Sequence, residues 1–183
     1  MSTIRKQFLR QSKELNLKIL GDRKTLVMEG PQGTFYYPLT KDFSFSKTSK
    51  KLWLTGLALP VKKKAFFGLS QVLLAQACLG VLLGYRKQLN ILGIGYQVAV
   101  ELKNDLTFLS FKLGLSHALF IEVPPYLHVS CPKPRILLIK GINLQKVNNF
   151  ASLIRSLKFP NSYKEKGIYY SGEILKLKQG KKT

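Results

Sequence analysis

The sequence predicts an α+β protein of two tandem similar units, each a small antiparallel sheet packed against one helix. Two observations lead to this prediction. Apolar residues alternate with polar ones over several short segments, which is typical of half-buried strands. The same order of elements, short strands followed by one helix, occurs once in each half of the chain. We therefore assign residues 1–84 to a first unit and residues 85–183 to a second, with a hinge near Gly84 to Gln88.

The first unit is predicted to consist of short strands that follow a basic N-terminal arm. Its strands share alternating patterns and polar or glycine-containing borders: Leu15 to Leu20, Thr25 to Met28 and Thr34 to Leu39. Pro31-Gln32-Gly33 forms the turn before the third strand. A polar loop over Ser46 to Lys51 then leads to a short strand at Leu52-Trp53-Leu54, which precedes the helix of this unit.

The apolar segment Ala65 to Tyr85 has nearly the length needed to cross a bilayer, and three lysines precede it. This leaves a membrane-anchored basic protein as an alternative function. Ser70, Gln71 and Gln76 lie in the middle of the segment, and the chain has no second apolar segment of this length. We therefore expect no membrane span, but a helix buried on most sides against a sheet and a neighbouring domain.

The second unit has the clearest strand pattern. Tyr96 and every second residue after it are apolar up to Leu102, and Asn104-Asp105 then turns the chain into a hairpin partner, Leu106 to Leu113. Three further strands are predicted between prolines and glycines: Leu119 to Val123, Leu127 to Cys131 and Arg135 to Ile139. A helix begins after Gly141, with apolar residues on one face, and ends before Pro160.

Charge is the strongest compositional signal. Thirty basic residues against nine acidic ones give a net charge of +21, the electrostatic footprint of a nucleic-acid binder. A hydrophobic content of 45% with eleven phenylalanines excludes a wholly disordered basic chain. The composition therefore predicts a folded protein that carries its positive charge on the surface.

The residues that carry most enzymatic and metal chemistry are few and scattered. Cys78 and Cys131 belong to no closely spaced ligand motif, and we interpret both as buried thiols in a reducing compartment. We interpret His117 and His128 as hydrogen-bonded packing residues, not as ligands or bases. Gly93-Ile94-Gly95 lacks the third glycine of a nucleotide-binding turn. We expect no enzyme, no cofactor and no metal.

The segment from Pro160 to Gly167 and the lysine-rich tail after it are the candidate RNA-contacting end. Lysines neutralise phosphates, and tyrosines offer stacking faces and hydroxyl donors. A solvated hairpin with a disordered tail is the alternative interpretation of these residues alone.

The pattern Pro160-x-x-Tyr163-Lys164-x-Lys166-Gly167-Ile168 strongly resembles the signature of the sixth protein of the ribosomal large subunit, in its bacterial and organellar branch. Gly93-Ile94-Gly95-Tyr96-Gln97-Val98, Leu115-Ser116-His117 and Ile139-Lys140-Gly141 lie where that family has like residues. The resemblance covers residues 88–183 well, and residues 15–85 only by pattern. Two departures concern the loop: Glu165 stands where the family normally has Gly or Ala, and Tyr169 where it often has Arg.

The resemblance implies a structural protein that binds large-subunit rRNA near the sarcin–ricin loop and the stalk base, beside neighbouring large-subunit ribosomal proteins, without forming a homo-oligomer. The residues it assigns to rRNA are Tyr163, Lys164, Lys166, Gly167, Tyr169, Tyr170, Lys176, Lys178, Lys181 and Lys182.

Composition indicates the compartment. Abundant Lys, Leu, Phe and Ile with few Ala and Asp suits an AT-rich genome, and we expect a mitochondrial ribosome, with a plastid or a bacterial cytoplasm as alternatives. The basic, acid-poor N-terminus is similar to a short transit peptide and equally to an RNA-binding arm.

Overall fold

The computed structural model describes residues 9–10, 15–20, 25–38, 43–48, 51–56, 61–103 and 106–179. The chain forms two compact units, Met1–Gly84 and Tyr85–Thr183. Over these residues both units contain antiparallel sheets and one helix, so the α+β class is confirmed. Within the described residues each unit has two small sheets, where the sequence predicted one.

The first unit contains two three-stranded sheets, with strand orders β2-β3-β4 and β1-β6-β5. Its elements are β1 (Leu9–Arg10), β2 (Asn16–Leu20), β3 (Thr25–Gly30), β4 (Gly33–Pro38), β5 (Phe43–Thr48), β6 (Lys51–Gly56) and α1 (Val61–Leu83). The predicted polar loop over Ser46 to Lys51 is therefore too long, because β5 extends to Thr48 and β6 begins at Lys51. The predicted basic N-terminal arm lies almost wholly outside the described residues.

One face of α1 packs against the sheet formed by β2, β3 and β4. Leu74 and Val81 are fully buried, and the thiol of Cys78 lies 3.5 Å from the sulfur of Met28 on β3. The turn after β3 contacts the end of α1, where the Gln32 amide donates to the Val81 carbonyl at 3.1 Å. This contact fixes the helix against the sheet.

The expectation that α1 is buried on most sides is wrong. Large apolar side chains line its other face and are about half exposed or more: Phe66, Leu69, Val72, Leu79 and Leu83. Ala65–Leu83 is long and apolar enough to cross a membrane by length and composition, and a third of it is buried. The packing of its buried face against β3 is that of a helix covering a sheet.

The second unit contains a three-stranded sheet of order β10-β9-β8 and a four-stranded sheet of order β11-β12-β7-β13. Its elements are β7 (Tyr85–Leu92), β8 (Gln97–Lys103), β9 (Leu106–Lys112), β10 (Leu119–Glu122), β11 (His128–Lys133), β12 (Ile136–Gly141), α2 (Leu144–Ser156) and β13 (Gly167–Tyr170). The predicted turn at Asn104-Asp105 lies outside the described residues.

The predicted hinge is wrong for Tyr85 to Gln88. These residues open β7, where Tyr85 pairs with Gly141 and Lys87 with Ile139 of β12. β7 is an inner strand, since β13 pairs with its other edge. The segment is therefore part of the sheet that supports the C-terminal loop.

Helix α2 follows β12 and covers the core of the second unit. Asn143 caps its N-terminus, because its side-chain oxygen accepts the amide of Gln145 at 2.9 Å. Val147, Ala151 and Ile154 are almost fully buried on the face that the sequence predicted. The helix ends at Ser156, and the candidate loop at residues 160–167 follows it.

Several cationic groups of the second unit lie over aromatic rings. Two different cations lie over the ring of Tyr170. The distances from cation to ring centroid are 5.0 Å for Lys87 and 4.9 Å for Arg155 over Tyr170, 4.6 Å for Lys103 over Phe120, and 4.0 Å for Lys146 over Tyr126. These cation–π contacts hold basic side chains against the surface of the fold.

Candidate nucleic-acid interface

The loop between α2 and β13 is closed by its own hydrogen bonds. The Asn161 amide donates to the Lys166 carbonyl at 2.9 Å, and the Glu165 amide donates to the Asn161 carbonyl at 3.0 Å. The side-chain oxygen of Asn161 accepts the amide of Tyr163 at 2.8 Å, as in an Asx turn. Residues 160–167 therefore form a defined turn, which fixes the direction in which each Cα–Cβ bond leaves the backbone.

Gly167 closes this loop, and only glycine fits there. Its φ is +148°, in a region that L side chains rarely adopt. A Cβ at this position would lie 2.6 Å from the Cα of Pro160 and 2.8 Å from the Phe159 carbonyl oxygen. The glycine in the signature is thus explained by the close approach of two backbone segments, and Gly167 itself is buried.

Glu165 has a φ of 54°, the left-handed conformation that glycine adopts without cost. This explains physically why a glycine suits this position. Glu165 borders a cavity on the side of Tyr169, whereas Lys164 and Lys166 border another on the side of Tyr96. The loop thus separates its acidic side chain from its two lysines.

The lysine side of the loop includes residues that sequence reasoning missed. A cleft of about 450 Å³ is lined by Tyr96, Lys158, Phe159, Asn161, Lys164 and Lys166. Lys158 and Phe159 come just after Leu157, the C-cap of α2, and this sequence position could have drawn attention to them. Tyr96 comes from the turn before β8 and is brought here only by the fold.

The three predicted tyrosines have different surroundings. Tyr163 is 61% exposed, whereas Tyr169 is buried. Burial raises the pKa of Tyr169, and the nearby carboxylates of Glu165 and Glu173 raise it further. Its buried hydroxyl has no hydrogen-bond partner among the described residues. Tyr170 is half-buried, with its ring beside the two cations described above. Among the three, Tyr163 presents the most exposed ring.

The tail after β13 lies against the loop. Glu173 accepts from the Arg155 guanidinium at 2.6 Å and from the Tyr170 amide at 3.1 Å. Further on, the Lys178 amide donates to the Ser162 carbonyl at 3.1 Å. The side chains of Lys176 and Lys178 are exposed. Lys181 and Lys182 lie outside the described residues.

Other residues with reactive side chains are dispersed. No group of three His, Cys, Asp or Glu that could hold a metal ion occurs in the part of the chain that the structure describes. Both cysteines are free; Cys78 is buried, and burial raises its pKa to about 11. Cys131 is only half-buried, contrary to expectation. Its position on an edge strand, at an irregularity in the pairing with β12, leaves the thiol partly open.

Comparisons with known proteins agree with the sequence signature. Residues 92–171 match the model of the family described as ribosomal protein L6. A protein of Xanthobacter autotrophicus is 35% identical over 161 residues, which cover 88% of this chain and 89% of the relative. One from Alkaliphilus metalliredigens is 33% identical over 90% of each chain, and one from Chlorobium limicola is 32% identical over 99% of this chain and 98% of the relative. All three are named large ribosomal subunit protein uL6.

Proposed function

This chain belongs to the ribosomal protein L6 family, as its signature indicated, and from this premise we propose that it binds large-subunit rRNA through its second unit. The family consists of structural components of the large ribosomal subunit, not enzymes. The proposed place is near the sarcin–ricin loop and the base of the stalk, where the protein would hold rRNA helices in position.

The observation that carries the proposal is the separation of charge by the loop at residues 160–167. Lys164 and Lys166 line one side together with Lys158, while Glu165 borders the other side. An RNA strand on the lysine side would meet three ammonium groups and no nearby carboxylate from the loop. Phosphate contacts of this kind position an RNA and release counterions, without reading its sequence.

The remaining predicted residues would act in two ways. Lys176 and Lys178 are exposed and would continue the basic surface along the tail, as would Lys181 and Lys182. Gly167, Tyr169 and Tyr170 would act through the shape of the loop, because a buried glycine, a buried ring and a ring beside two cations offer little surface to RNA.

Neighbouring ribosomal proteins are the proposed partners of the first unit. The exposed apolar row on α1 supports a protein contact, since a row of half-exposed large side chains is unusual on a free surface. The membrane alternative is less well supported, because inserting α1 into a bilayer would remove the helix face that covers β3.

A mitochondrial ribosome remains the proposed location. Its support is the Lys-, Leu-, Phe- and Ile-rich composition, while the relatives reported above are bacterial and fit the bacterial alternative equally well. Sedimentation of the tagged protein in a gradient of mitochondrial lysate tests the proposal. It should travel with large subunits and resist a moderate-salt wash; recovery at the top of the gradient or in the membrane pellet would refute it.

The direct test of RNA binding is a salt titration with full-length protein and transcribed large-subunit rRNA. Replacing Lys164 or Lys166 by Gln should weaken binding and flatten the dependence of log K on log salt by about 0.7–0.9 per lost phosphate contact. Lys112→Gln, on an exposed position of β9, is the matched control and should leave the slope unchanged. Equal effects of all three substitutions would mean that charge alone, and not this loop, governs binding.

Glu165→Gly tests the orientation of the loop. Because Glu165 borders the side away from the lysines, its removal should change the salt slope little, and glycine should relieve the left-handed backbone by about 1 kcal/mol. A clear loss of RNA affinity in this variant would show that Glu165 makes a required contact, and RNA could then not lie against the lysine side as proposed.

A further inference from the structure

We infer that the cleft beside the loop holds a single unpaired nucleotide of the RNA, with its base against the ring of Phe159 and its phosphate among Lys158, Lys164 and Lys166. The inference rests on the proposed function, since it names the part of the RNA that this surface takes. The cleft has a volume of about 450 Å³, within the range of roughly 300–1,000 Å³ typical of small-molecule sites.

The charge of the cleft selects a phosphate-bearing occupant. Three of its six lining residues are lysines, and none of the described residues that line it is acidic. Among the described residues of the second unit, the ion pairs join Lys103 to Glu101 and Arg155 to Glu173, and neither pair involves the three lysines of the cleft. Three ammonium groups around one cavity make a compact site for a phosphate.

The wall of the cleft that Tyr96 forms is rigid. Tyr96 is buried, and a Cβ on Gly93 would lie 2.6 Å from its ring, which shows how closely the backbone packs against it. On another side, a Cβ on Gly114 would lie 3.1 Å from the same ring. Asn161 is fixed by the hydrogen bonds that close the loop. The part of the cavity formed by Tyr96 and Asn161 is therefore ordered before any ligand enters, which lowers the entropic cost of binding.

Phe159 supplies a surface for a base. Its side chain is 66% exposed, an unusual position for a phenyl ring, and it lies between Lys158 and the loop. A phenyl ring has no hydrogen-bonding group, so the contribution it can make to RNA binding is stacking or apolar contact with a base face. The bases of an A-form duplex are stacked on each other and cannot offer a face, so the nucleotide in the cleft must be unpaired.

Binding of full-length protein to transcribed large-subunit rRNA tests this inference with Phe159→Ala. Affinity should fall by about 5- to 150-fold, the range for loss of one stacked base, while the salt slope stays unchanged. Phe159→Tyr should retain most of the affinity, because it keeps the ring. Phe120→Ala removes a similarly exposed ring from β10 and should bind like the unaltered protein. Lys158→Gln should flatten the salt slope.

Two results would overturn the inference while leaving the proposed function intact. In one, the unaltered protein binds rRNA, but Phe159→Ala binds as tightly as Phe120→Ala. In the other, ultraviolet crosslinking of the unaltered complex places no crosslink on Phe159 and its neighbours. A protein that does not bind rRNA in any form would instead refute the proposed function, and the inference with it.

Discussion

The ion pair between Arg155 and Glu173 should hold the C-terminal tail in place, and Glu173→Gln is the substitution that tests it. The pair spans 2.6 Å, and the other carboxylate oxygen of Glu173 accepts the Tyr170 amide at 3.1 Å. Glutamine keeps one acceptor oxygen but removes the charge. The substitution therefore weakens the contact of the tail with α2 without leaving a cavity.

The expected magnitude follows from the exposure of the pair. The side chains of Arg155 and Glu173 are 27% and 23% exposed, which places the pair between the surface and the interior. Exposed pairs contribute about 0.2–1 kcal/mol, and breaking a fully buried pair costs about 3–5 kcal/mol. Because solvent partly screens the pair at this exposure, we expect Glu173→Gln to reduce the free energy that holds the tail against α2 by about 1–2 kcal/mol.

Native-state hydrogen exchange is the suitable assay, because the chain has two units and need not unfold in one step. Peptides that cover β13 and the end of α2 should exchange about 5- to 30-fold faster, as that loss of free energy requires. Peptides from the first unit should be unchanged. Glu101→Gln is the control, since its pair with Lys103 is much more exposed and should matter little. Unaltered exchange at Tyr170 in Glu173→Gln would refute the reasoning.

Three further predictions concern single residues. Gly167→Ala should destabilise the second unit by about 1–3 kcal/mol, seen as a lower melting temperature, because its φ of +148° and close backbone contacts exclude a Cβ. In the native protein Cys131 should react with a thiol reagent before Cys78. The pKa of Cys78 is about 11, so only about one part in a thousand of this buried thiol is thiolate at pH 8, and its reactivity should rise with pH. Ile154→Ala should cost about 2–5 kcal/mol in urea unfolding, whereas Leu153→Ala, half exposed on the same helix, should cost far less.

The sequence predicted the fold class and most strands, because alternation is a local property of the chain. It missed β7, whose first residues Tyr85-Arg86-Lys87-Gln88 are mostly polar and resemble a linker. The strand exists because Leu89 and Ile91 enter the core and because two other strands pair with it. Such pairing depends on partners about 50 and 80 residues further along the chain, so no local pattern reveals it.

The candidate interface was predictable only in part. Lys164 and Lys166 could be named because the motif places them, but the cleft that they share with Tyr96 depends on a contact across the fold. At β13 Ile168 and Tyr169 are both buried although successive strand residues point to opposite faces, so alternation would not reveal this strand. The tail residues Leu175 and Leu177 line the same cavity as Tyr169. No local sequence pattern predicts that the tail reaches this cavity.

The cations that lie over aromatic rings have a consequence for the protein in the absence of the RNA proposed as its partner. With thirty basic residues and nine acidic ones, most ammonium and guanidinium groups cannot find a carboxylate. Carboxylates lose their charge when the pH falls, and acid unfolding follows largely from that loss. The faces of Tyr126, Tyr170 and Phe120 bind no proton in this range, so their attraction for Lys146, Lys87 and Lys103 persists in acid. In a newly made chain, these aromatic rings thus offset part of the positive charge that the proposed RNA partner would otherwise neutralise.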